Sequence, residues 1–81
     1  MTDMKRALTL LRAGDWEAAH RIVQDDETTL AAWAHGIVHL MEGDRANAGY
    51  WYRRAGRPLR EKILLNSEIE ALEQALEDQT P

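Results

Sequence analysis

One short phrase occurs twice in this chain. Leu11, Gly14, Asp15 and Ala19 recur 29 residues later as Leu40, Gly43, Asp44 and Ala48, so that each copy reads Leu-x-x-Gly-Asp-x-x-x-Ala. Glycine tolerates the left-handed backbone that closes a helix, and aspartate accepts the free N–H groups that open the next one. A Gly-Asp step between apolar residues at helical spacing is therefore a stop followed by a start. Two such steps in tandem specify two pairs of helices, and a repeated pair specifies a helical repeat.

The periodicity places five helices. Met4, Ala7, Leu8 and Leu11 form one face of a helix over 3–13 that Asp3 caps. Trp16, Ala19 and Val23 form one face of a second helix over 16–24. A polar connection, Asp25-Asp26-Glu27-Thr28, leads to a third helix over 30–42, capped by Thr28 or Thr29. Its residues Leu30, Trp33, Ala34, Ile37, Val38, Leu40 and Met41 cover more than half of its circumference, as in a helix buried on several sides. Gly36 in its interior costs about 1 kcal/mol in helix propensity, which close approach of another helix would explain. A fourth helix spans 45–55 with Ala48, Trp51, Tyr52 and Ala55 inward, and Gly56-Arg57-Pro58 ends it. The fifth, over 59–77, is expected to be the longest. Its Leu65, Ile69, Leu72 and Leu76 step by four, three and four, the seam of a coiled coil. Gln79-Thr80-Pro81 reads as a frayed tail. No stretch alternates as a strand would.

The expected architecture is thus all-α, a single domain over 1–81 made of a first hairpin (1–27), a second hairpin (28–56) and a C-terminal helix (59–78). The fifth helix is expected to bury Leu65, Ile69, Leu72 and Leu76 either by capping the second hairpin or by pairing with another copy, and a core this small favours the homodimer. There is no cysteine, so disulfides and thiolate metal sites are excluded. That composition and the polar start Met1-Thr2-Asp3-Met4-Lys5-Arg6 point to the cytoplasm. No apolar run approaches a membrane span. The net charge of −4 argues against nucleic acid as a partner. Charge is unevenly spread: Arg45, Arg53, Arg54, Arg57, Arg60 and Lys62 make a basic middle, and Glu68, Glu70, Glu73, Glu77 and Asp78 an acidic end.

The two hairpins resemble the tetratricopeptide (TPR) repeat. Gly36, Gly43, Ala48, Tyr52 and Ala55 in the second, and Ala7, Gly14-Asp15-Trp16, Ala19 and Val23 in the first, fill the slots where that motif has small and aromatic residues. The period is shorter than the family's roughly 34 residues, and His35 and His39 stand where large apolar residues are usual. The resemblance implies paired antiparallel helices and a concave surface that binds a protein or peptide. The run Glu42-Gly43-Asp44-x-x-Asn47-Ala48-x-Tyr50-Trp51-Tyr52-Arg53-Arg54-Ala55-Gly56, with His39 before it, also looks like a group of small bacterial proteins of no established activity, which implies that this segment carries the function.

Two stripes carry candidate chemistry. His35, His39 and Glu42 lie at i, i+4 and i+7 on one face of the third helix. Two imidazoles and a carboxylate in that array suit a divalent metal, with His20 as a third imidazole if the second helix packs beside them. A network of hydrogen bonds between helices is the first expectation and a pocket for a small polar ligand the next, with a divalent metal behind both, so no metal or cofactor is assigned. Asn47, Trp51 and Arg54 form the second stripe, on the fourth helix, with Tyr50 beside it. The seven residues His35, His39, Glu42, Asn47, Tyr50, Trp51 and Arg54 are expected to converge between the third and fourth helices. No nucleophile arrangement or phosphate loop is visible, so no catalytic residue is assigned and a binding module is favoured over an enzyme.

Overall fold

The computed structural model describes residues 2–79. Five α-helices occur among them: α1 (Met4–Arg12), α2 (Trp16–Val23), α3 (Thr29–Glu42), α4 (Arg45–Arg54) and α5 (Leu65–Asp78), with no strand. None of these helices is long and apolar enough to cross a membrane. Thr80 and Pro81 of the expected tail lie outside the described residues.

Both Gly-Asp steps work as their chemistry dictates. Gly14 and Gly43 sit at φ +80° and +90°, in the left-handed region that favours glycine. Asp15 and Asp44 then accept the backbone N–H of Ala18 and of Asn47, each at 3.2 Å. Asp3 does the same for α1, accepting from Arg6 N–H at 3.0 Å. Thr28 occupies the cap position of α3 without a side-chain hydrogen bond.

The centre of the molecule is α3, which packs against α1, α2, α4 and α5. Its residues Leu30 to Val38 are buried without interruption. α2 and α4 both pack on α3. Gly36 is where α4 comes closest. A Cβ built there would lie 2.5 Å from Cδ1 of Tyr52 and 3.4 Å from the Ala48 carbonyl oxygen.

The fifth helix differs from expectation. It begins at Leu65 rather than at residue 59, and at 14 residues it equals α3 in length. Residues 59–64 bridge α4 to α5 as non-helical chain. Leu59 and Ile63 pack against the core from this connection. The Arg60 carbonyl accepts from the Arg45 guanidinium, a partner a helix would have replaced with its own amide. The seam of α5 faces inward: Ile69 and Leu72 are buried within the one chain, and Leu65 and Leu76 pack at its margins. α5 is further tied to the core through Glu68, whose Oε1 accepts from the Trp33 indole at 3.2 Å and the Tyr52 hydroxyl at 2.7 Å. Arg12 and Glu73 pair at 2.7 Å across α1 and α5.

Candidate metal centre

Three imidazoles meet where α2 packs on α3. α3 presents His35 and His39 one turn apart, and α2 brings His20 across to them. His20 Nε2 and His35 Nε2 are 3.0 Å apart. One ring nitrogen from each of the three histidines can be chosen so that all lie within 4.8 Å of one another. Two nitrogens bound to one tetrahedral zinc at 2.0–2.1 Å stand about 3.3 Å apart, so the His20–His35 contact is close to a shared-metal geometry.

The rings are held from several sides. His35 and His39 stack with centroids 4.9 Å apart, and His20 meets both edge-on at 4.7 and 5.6 Å. On its other side His35 stacks on Trp51 of α4, at 3.8 Å and nearly parallel. Stacked between two rings, His35 is only 4% exposed. Its Nδ1 is buried with no hydrogen-bond partner. A neutral imidazole has one N–H and one lone pair, so with Nε2 against His20 the other nitrogen goes unsatisfied in either tautomer. Such an orphan in a small core costs about 1–3 kcal/mol and calls for an explanation.

Burial, and then the neighbouring His20 and His39, push the His35 pKa down to about 4. The ring is therefore neutral at physiological pH, the form that binds a metal. His39 is oriented by Glu42, whose Oε1 lies 2.9 Å from His39 Nδ1. A carboxylate on one ring nitrogen fixes the N–H there and leaves Nε2 as the nitrogen with a lone pair, the arrangement that supports metal-ligating histidines.

His39, Glu42 and Asp44 also lie close enough for a metal. That group is already satisfied. Glu42 holds His39, and Asp44 accepts both the backbone N–H of Asn47, at 3.2 Å, and its side-chain amide, at 3.1 Å. Those two bonds hold the Asp44 carboxyl below the usual carboxylate range.

The seven expected residues do not all converge. His35, His39 and Trp51 form one stack with Glu42 attached to its outer end. Tyr50 packs edge-on against Trp51, and Arg54 lies over both rings at 5.8 and 5.6 Å. Arg54 hydrogen-bonds Tyr50 at 3.2 Å and reaches across to Glu27 at 3.1 Å, linking α4 to the α2–α3 connection. Asn47 stays outside, bonded to the Asp44 it follows. His20 takes the place left open, and its entry depended on how α2 packs on α3 rather than on spacing within one helix. The site thus lies between α2, α3 and α4, not between α3 and α4 alone.

Comparison with known proteins found no matching family model, no matching curated protein and no matching solved structure.

Proposed function

We propose that this chain is a small TPR-like binding module whose ligand is a divalent transition metal, held by His20, His35 and His39. A TPR-like helix pair holds a protein, a peptide or a small polar ligand in general. The observation that favours a metal is the meeting of three imidazoles from two helices, with the Nε2 atoms of His20 and His35 3.0 Å apart. Like groups are not gathered this way for stability, because protonating any one of them opposes protonation of the others. A metal would replace the N–H···N contact between His20 and His35 with shared coordination.

The donor set selects the ion. Three neutral nitrogens suit zinc, copper, nickel or cobalt, whereas magnesium and calcium require oxygen ligands. Glu42, bonded to the far nitrogen of His39, acts as the outer-shell carboxylate.

Isothermal titration of untagged protein with zinc, and with magnesium as control, tests this reading. One zinc per chain should bind, and magnesium should give no heat. His35→Ala should abolish binding, and Glu42→Gln should weaken it about 10- to 100-fold. Zinc at 100 times its Kd should add about 2.7 kcal/mol to folding stability. Protein that neither takes up zinc nor gains thermal stability from it overturns the proposal.

A further inference from the structure

Resting on that reading, the ligand count points further. Closed structural zinc sites use four protein donors, and sites with three keep one position for water or substrate. Among the described residues the histidine cluster contains three donors and no more. The nearby carboxylates are engaged elsewhere, Glu42 on the outer nitrogen of His39 and Asp44 on the first turn of α4. His20 is half-buried and the His39 side chain is 11% exposed, so the cluster reaches solvent on their side.

Charge decides what the fourth position does. Thiolate or carboxylate ligands neutralise part of a bound ion's charge. Three neutral imidazoles leave all of it on the metal, which lowers the pKa of a bound water to about 7. We infer that the fourth coordination position is open to solvent, carries water, and hydrolyses small activated esters. In that reaction the bound water gives one proton to solvent, and the resulting hydroxide adds to the ester carbonyl carbon. The carbon–oxygen bond to the leaving group then breaks, releasing an acid and an alcohol for one water consumed.

Two measurements on the intact protein test this. The first is the visible spectrum of the cobalt-loaded protein with and without azide. An open position exchanges water for azide and the bands shift; unchanged bands mean the position is closed. The second is release of p-nitrophenolate from p-nitrophenyl acetate. Metal-free protein, whose imidazoles attack such esters slowly by themselves, sets the baseline together with free zinc. Zinc-loaded protein should exceed their sum about tenfold or more, and a chelator should remove the excess. Zinc uptake with an azide-insensitive cobalt spectrum overturns the inference and leaves the metal reading standing. A shifted spectrum without excess hydrolysis overturns the activity. Failure to take up zinc, read separately by titration, overturns both.

Discussion

The ring of Tyr52 occupies the space in which a side chain on residue 36 would sit. The would-be Cβ of Gly36 meets Tyr52 Cδ1 at 2.5 Å and Cε1 at 2.7 Å, and Tyr52 itself is fully buried. The helix-weakening glycine is thus the condition for the α3–α4 contact. Gly36→Ala gains about 1 kcal/mol of helix propensity but must displace the ring. Gly36→Leu cannot be accommodated and should destabilise by about 1–3 kcal/mol. Thermal melts should rank wild type above Gly36→Leu by several degrees; an unchanged Tm for Gly36→Leu would contradict the packing described.

Glu68 gathers α3, α4 and α5 onto one oxygen. Burial, reinforced by the bond to Glu68, pushes the Tyr52 hydroxyl well above its ordinary pKa, so it remains a donor. Glu68→Ala strands this hydroxyl and the Trp33 indole N–H together. The expected loss is about 2–4 kcal/mol, against about 1 kcal/mol for Tyr52→Phe, which removes one donor and leaves Glu68 its other partner. A double-mutant cycle in urea should show the two changes to be non-additive.

Ile69 is 4% exposed, inside the chain's own core. Ile69→Glu buries a carboxylate without a partner, and the chain should unfold or lose most of its helicity at room temperature. Circular dichroism settles this. A folded Ile69→Glu protein would show that α5 can leave the core.

His35 gives the metal-free protein a pH dependence. Its folded pKa of about 4 lies below the ordinary 6.5. Between those values the unfolded chain holds a proton that the folded chain lacks. The stability this contributes is fully present above pH 6.5 and is lost as pH falls towards 4. The expected loss is about 1–3 kcal/mol after allowance for solvent screening. Asp26 and Asp44, whose carboxyls are held below their ordinary 3.8, act only at lower pH. Urea melts at pH 7 and pH 4.5 should differ accordingly.

Replacing His35 with phenylalanine removes both the buried orphan nitrogen and the titration. His35→Phe keeps the stack on Trp51 and should match or exceed the wild type in stability without metal. Its urea midpoint should change less between pH 6.5 and 4.5 than that of the wild type. It should also fail to bind zinc, separating the ring's structural contribution from its chemistry.

Local signals in the chain were read correctly where one residue determines its own conformation. Gly14 and Gly43 require positive φ, and Asp3, Asp15 and Asp44 need only the next turn of backbone to cap. The face of α3 that carries His35 and His39 was legible for the same reason, because helical spacing alone sets it. Legibility failed where the decisive partner is far along the chain. The start of α5 turns on Arg45 holding the Arg60 carbonyl, and no local residue reports that. The closing of Glu68 onto Trp33 and Tyr52 spans 35 and 16 residues. His20 enters the site through the packing angle of α2 on α3. Asn47 shares a helical stripe with Trp51 and Arg54, but its side chain turns back to Asp44 in the preceding turn.

The central place of α3 has a dynamic corollary. A helix that touches every other helix gives up its amides to solvent only when the whole molecule opens, whereas α2, eight residues long, leans on α1 and α3 alone. In the candidate centre His35 and His39 thus sit on the most enclosed helix and His20 on a short peripheral one. If an ion binds as proposed, amide exchange in α2 should slow on metal addition more than exchange in α3.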